Sequence, residues 1–186
     1  MVVESKAGRQ AIWAKVVIDA TGDGDVAARA GCAYEFGRES DGLVQPMTLM
    51  FTVRGKGTFE QEDAPAFYDL LLNAIEAHDL DLTLPIGRCN YAPWMISPPQ
   101  AGSAAVQATH VYRLNPLDPG DLTRGTVDAR RQAAELVEVF RRVPGLEGVE
   151  LAETAATLGI RETRRVRGHG RHEPMTWPAG GASGMR

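Results

Sequence analysis

Residues 16–25 read VVIDATGDGD. Val16, Val17 and Ile18 form a β-favouring apolar run, which meets a turn holding two glycines. The following VAARAG has the composition of a short helix. A run that is apolar at successive positions predicts a strand covered on both faces, as in a parallel sheet. The expectation is a buried strand over 11–20 with the turn at its carboxyl end. A helix should follow, with Asp25 as N-cap and Gly31 as its stop. Glycines in such a turn let a ligand approach the backbone, and in open α/β sheets ligands bind outside the carboxyl ends of strands. An ordinary strand-to-helix connection uses the same glycines, so spacing alone leaves both readings open.

Gly22-Asp23-Gly24-Asp25-Val26-Ala27 formally matches GxGxxA, the dinucleotide fingerprint. Its chemistry argues otherwise. Asp23 and Asp25 put carboxylates where a pyrophosphate would sit, against the favourable field of a helix N-terminus. The ribose-binding acid expected about 20 residues on is poorly supplied, because Glu39 and Asp41 lie in the loop-like EFGRESDG. A metal loop through Asp19, Asp23 and Asp25 lacks the EF-hand spacing and its closing glutamate.

The rest of the chain predicts mixed strands and helices. VVES (2–5) and the turn at 6–9 predict a hairpin with the strand that follows. Strands are expected over 46–54 and 104–113, and near Trp94–Ile96 within a proline-rich loop (85–103). One helix is expected over 65–78 and the strongest over 122–143. Val127, Ala134, Leu136, Val137, Val139 and Phe140 form the broad apolar side of the latter, and Pro144-Gly145 end it. RETRRVRG (161–168) suits a strand, and the tail 173–186 reads as disordered. The fold class is α/β (α+β), with no internal repeat.

Composition narrows the function. With 20 basic and 24 acidic residues the net charge is −4, which disfavours a nucleic-acid partner. No apolar run approaches the roughly 20 residues of a membrane span, and the N-terminus lacks a secretory h-region. A cytoplasmic location is expected. Cys32 and Cys89 form neither a CxxC pair nor a disulfide framework. Cys32 is expected to be buried and inert, and Trp13, Trp94 and Trp177 to pack. His78 and His110 are isolated. His169, His172 and Glu173 do not make the zinc-helix motif. No residue is assigned as catalytic and no metal site is expected.

Three blocks in the observed order carry a resemblance. VVIDATGDGDVAARAG, the stretch DPGDLTRGTVDARRQAAELVEVFRRVPGLEGVEL, and LGIRETRRVRG resemble the FAD-dependent oxidoreductase family, in particular its heterodisulfide reductase A-like flavoproteins. Together they span most of 10–168. The resemblance implies a partial FAD-binding Rossmann-like domain with a mixed strand/helix cap region. Residues 1–31 would complete the FAD-binding domain, 32–157 would form the substrate or cap region, and 158–172 would return to the flavin. Ala20, Thr21, Gly22, Asp23 and Gly24 would border FAD, and Arg161 and Glu162 would approach its ring. The chemistry implied is hydride or electron transfer through the flavin, with the protein supplying position and electrostatics.

The family's N-terminal GxGxxG has no counterpart here, and similarity fades after Gly168. The expectation is therefore a fragment or one piece of a split protein. Its partner would be the missing FAD-binding segment or a subunit supplying it, alongside a small-molecule substrate or electron carrier. Two cysteines cannot hold a Cys₄ iron–sulfur cluster, so a cluster would come only through a partner or missing sequence. Alone, the chain is expected to bind FAD weakly or not at all. The arginines at 161–171 have further readings: phosphate or nucleic-acid binding, or structural pairing of Arg164 and Arg165 with Glu150, Glu153 or Glu162. The alternative for the whole chain is a non-catalytic α+β binding or interaction module.

Overall fold

The computed structural model describes residues 1–55 and 102–168, together with 69, 71–73, 76–77 and the backbone of 95–96. The elements in chain order are β1 (Val2–Ser5), β2 (Gly8–Ala11), α1 (Asp25–Arg29), β3 (Tyr34–Phe36), β4 (Phe51–Arg54), β5 (Met95–Ile96), β6 (Ser103–Val106), α2 (Pro119–Phe140), β7 (Glu150–Thr154) and β8 (Arg164–Val166). Helices and small open sheets alternate, so the chain is α/β. Most of the helix expected at 65–78 lies outside the described residues; those described within it (69, 71–73, 76–77) are helical. Cys89, His78, Trp94, His169, His172, Trp177 and the tail from 173 also lie outside them.

The chain divides into two compact units, Phe36–Thr163 and Met1–Glu35 with the segment from Arg164 onward. The first is built on an antiparallel sheet of order β5-β6-β4-β7. Phe51 pairs with Val106 on one side and Thr154 on the other, and the β4–β7 register shifts between Thr52 and Val53. Phe51, Val53, Ala104 and Val106 alternate inward, as a one-sided sheet requires. They meet Leu136, Val137, Val139 and Phe140 of α2, with Val143, Leu146 and Val149 closing the core. A second cluster joins Met47, Leu49, Val111 and Ala129.

Between the two clusters the strand ladder is mended by a side chain. Thr109 Oγ1 accepts from the Leu49 amide at 2.8 Å and donates to the Leu49 carbonyl at 2.9 Å, fully buried. The strands expected at 46–54 and 104–113 are thus regular only at 51–54 and 103–106, with a bridge between Met47 and Val111 beyond.

α2 starts about a turn earlier than the expected 122–143 and ends at Phe140. Asp118 is its N-cap, accepting from the Asp121 amide at 2.8 Å, and Pro119 fits the first helical turn. Val127 is 67% exposed and Ala134 is exposed, correcting the expected apolar side. Gly125, Ala129 and Ala133 take the buried positions, and their small size lets the helix lie close to its neighbours.

The other unit is different in kind. A hairpin forms as expected, but its second strand, Gly8–Ala11, begins inside the expected turn, with Val2 opposite Ala11; β3 pairs with β8. None of its described residues is buried. The strand expected over 11–20 is present only up to Ala11; 12–20 has no regular structure. Trp13 is 95% and Ile18 86% exposed, and Val16 and Val17 are exposed with them. The physical reason is that an extended apolar run becomes a strand only through ladder partners. Ile12 exchanges two backbone bonds with Met1, and no described strand pairs with 13–20. Trp13 therefore packs on nothing described, contrary to expectation.

Candidate functional site

The glycine turn is held by its own first residues. Asp19 Oδ1 accepts from the Thr21 amide at 2.9 Å and the Thr21 hydroxyl at 2.7 Å, while Oδ2 accepts from the Ala27 amide at 2.8 Å. Thr21 Oγ1 in turn accepts from the Asp25 amide at 2.9 Å. The cap of α1 is therefore Gly24, not Asp25: Gly24 has φ 62°, and its missing side-chain cap is replaced by Thr21 and Asp19. These bonds, from Ala27 first and Thr21 next, hold the Asp19 carboxyl below its ordinary value. Gly31 ends the helix with φ 85°, as expected. Cys32 follows in that surface turn and is exposed, not buried.

The turn is pinned from far along the chain. Arg164, on β8, donates through Nη1 to Asp25 Oδ1 at 2.8 Å and to the Asp23 carbonyl at 3.0 Å. Its guanidinium lies over the Tyr34 ring at 5.6 Å. Position 24 calls for glycine through its left-handed φ, and a Cβ there would also stand 3.0 Å from Val166 Cγ2, two residues on from Arg164. Arg165 and Arg167 both approach Glu35. Arg164 thus pairs with an acid, as the structural reading expects, but the acid is Asp25, and Arg165 approaches Glu35.

Of the residues expected to border the cofactor, Ala20 to Gly24 stand together in this turn. Arg161 and Glu162 belong to the other unit. Arg161 donates to Thr48 Oγ1 at 3.0 Å, and Glu162 accepts the Gln45 amide at 3.0 Å. The Gly159 amide and carbonyl pair with Thr48, fixing the Gly159–Glu162 stretch along 45–48. Nearby, His110 is 8% exposed, and its backbone is clasped by Gln132. Burial above all, and the Arg161 charge, push the imidazole below its ordinary value, against a bond to Ala108.

In the sequence Asp19 is weighed only as a metal ligand, and Arg164 is expected to pair with an acid, but not with Asp25. The signal for Asp19 was its place two residues before Thr21, where an acid can close a local turn. Arg164 gave none, since its partner lies 139 residues away.

The turn fits a dinucleotide cofactor in one respect and not in another. Gly22 has no left-handed φ, and a Cβ added there would meet nothing within 4 Å. The fold itself places no demand for glycine at 22, and the outer edge of the turn is open to close approach. The amides of Thr21 and Ala27 are already taken by Asp19 and that of Asp25 by Thr21, so these three do not serve a phosphate. What the turn presents is an open backbone edge at Gly22.

The fold class is α/β, and the glycine turn is open and capped by its own residues. The model of the FAD dependent oxidoreductase family matches residues 1–172, and the chain belongs to that family. FAD is the cofactor the family implies, and the role is flavin-linked oxidation–reduction in general. No curated protein and no solved structure matches it. Among the described residues no helix is long and apolar enough to cross a membrane.

Proposed function

We propose that this chain carries one wall of the FAD site of an oxidoreductase similar to the heterodisulfide reductase A-like flavoproteins. The carrying observation is the Arg164 clamp. It ties the glycine turn to β8, parts of two of the three blocks that resemble the family, and leaves Gly22 open. FAD, when bound, supplies the acceptance and release of a hydride or electron pair. The Ala20–Gly24 backbone lies against the cofactor, and Asp19, Thr21 and Arg164 keep that edge in shape. On the family resemblance Arg161 and Glu162 would approach the flavin ring, where the guanidinium would favour a reduced, anionic ring.

The pyrophosphate requires other donors, because Asp19 already occupies amides of the turn. We assign those donors to a glycine-rich segment acting in cis or on a partner subunit. The exposed run Val16–Ile18 is the edge such a segment would pair with. The redox partner is a small-molecule substrate or an electron carrier.

The test is FAD titration of the 186-residue chain, followed by flavin absorbance and gel filtration. The chain alone should retain little FAD, and a GxGxxG-bearing segment should restore yellow, stoichiometric protein. Gly22→Ala should then lose FAD with an unchanged thermal midpoint, whereas Gly148→Ala, equally free of neighbours and of left-handed φ, should lose nothing. Stoichiometric FAD in the isolated chain would remove the need for another segment. Full FAD binding by Gly22→Ala would remove the turn from the site.

A further inference from the structure

The unit spanning 36–163 holds an open cleft of about 750 Å³, to which no ligand has so far been assigned. Part of its lining comes from the internally bonded turn 37–43. Arg38 forms a two-pronged pair with Asp41 at 2.6 and 2.7 Å, and Asp41 also accepts the Leu43 amide. The turn closes so tightly that a Cβ on Gly37 would fall 2.1 Å from the Gly42 carbonyl oxygen. Leu43 and Pro46 give the wall apolar surface. Tyr112, also in the lining, is 55% exposed and stacks on His110, with centroids 6.1 Å apart and planes 22° off parallel.

Arg113 stands out in this cleft. It is the one non-glycine residue with a left-handed φ, 58°, among the described residues. A bulky L-residue is strained there, and such strain is held where the surrounding structure or a function requires it. The backbone at 113 would favour glycine. Among the described residues the Arg113 guanidinium makes no hydrogen bond or ion pair; its charge only adds to that of Arg38 in lowering the Asp41 carboxyl. Arg38 is already matched by Asp41, and Glu162 is engaged by the Gln45 amide. Arg113 is thus a planar, forked donor left over beside an exposed aromatic face and aliphatic walls.

We infer that this cleft binds a small organic carboxylate, with Arg113 gripping the carboxylate and Tyr112 covering a flat apolar body. A guanidinium fork matches a carboxylate in two-point geometry. The aliphatic and aromatic lining selects an organic anion over a bare inorganic one. If Glu162 lies toward the flavin ring, this ligand is the redox substrate. That step rests on the proposed flavin site, whereas the binding test needs no flavin and stands without it.

The probe is benzoate, titrated into the full chain without FAD by calorimetry and by amide shifts in heteronuclear NMR. A dissociation constant of about 1 mM is expected for a fragment of this size, with shifts centred on Gln45 and Arg113. Arg113→Gly should weaken binding at least tenfold while leaving the thermal midpoint within about 3 °C of the parent or above it, since it relieves the φ strain. Arg113→Lys, with charge but no fork, should fall between the two. Inorganic phosphate should bind more weakly than benzoate. Absence of benzoate binding up to about 20 mM, well above that constant, equal affinity in Arg113→Gly, or tighter binding of phosphate than of benzoate would each overturn the inference.

Discussion

The two units of this chain are stabilised by different physics. In the unit 36–163, apolar side chains of β4, β6 and α2 are shut away from water, with Phe51 and Phe140 at most 1% exposed. In the other unit no described residue is buried, and the turn at 19–25 keeps its shape through carboxylate and guanidinium bonds. Hydrophobic burial is non-directional and roughly proportional to the area removed from water, so it yields stability. Hydrogen bonds at fixed angles yield shape at little net stability. The segment proposed to meet the cofactor is therefore specified in geometry but contributes little to the folding free energy, which resides in the other unit.

The largest expected effect follows from that division. Phe51→Ala should cost about 3–5 kcal/mol, because it leaves a cavity between the sheet and α2 that the neighbours fill only partly. Urea unfolding followed by far-UV circular dichroism measures it. A cost below about 1 kcal/mol would mean that the packed unit is not packed, and the contrast would vanish. A smaller loss, about 1 kcal/mol, is expected for Asp118→Ala, which frees the Asp121 amide at the start of α2. Amide exchange should quicken in the first turn of α2 and leave Ala27 untouched.

How much of this was legible in the sequence depends on how local each cause is. The hairpin and α2 were readable because turn residues, the helical period and the closing Pro144-Gly145 lie within a few positions of the elements they shape. The buried side of α2 was misread in part because leucines and valines were counted, while Gly125, Ala129 and Ala133 also do the packing. The run 12–20 was misread because its apolar pattern states what it would need, not whether a partner strand is there. The glycine turn was legible as a turn into a short helix. Its two fasteners were not: Asp19 acts through backbone amides, and the Asp25–Arg164 pair joins positions 139 apart. The φ of Arg113 has no sequence signature at all, since arginine is not a residue that left-handed turns select.

Acid should separate the two units by pH window. The His110 imidazole is held below its ordinary 6.5, so as pH falls the unfolded chain takes up that proton before the folded one does. Its contribution is whole above about 6.5 and is lost as pH falls through the lowered native value. Asp19 is held below its ordinary 3.8, so its contribution is whole above that value and lost only as pH falls through the lowered one. Urea midpoints of the packed unit should begin to drop just below pH 6.5, and Ala27 amide protection should persist to about pH 4. His110→Gln should flatten the first dependence and leave the second. Loss of both signals together would show one cooperative molecule where the contrast requires two separable responses.

The smallest effect is the one that tests the exposed side of the comparison. Trp13→Ser replaces the largest apolar side chain on the 12–18 run, and a 95% exposed ring gives up almost no contacts on removal. The unfolding free energy should shift by no more than about 0.5 kcal/mol, the ordinary range for surface positions. Truncation of an aromatic ring at Phe51 is expected to be several-fold more costly, and the ratio of the two is the sharpest form of the contrast. The triple variant Trp13→Ser, Val16→Ser, Ile18→Ser should also leave folding unchanged but lower self-association in sedimentation velocity, because contiguous exposed apolar residues promote it. A loss above about 1 kcal/mol from Trp13→Ser, independent of protein concentration, would place the run inside the fold in solution. A loss that grows with dilution would instead place it at a contact between copies, and the run would then be covered without any glycine-rich segment.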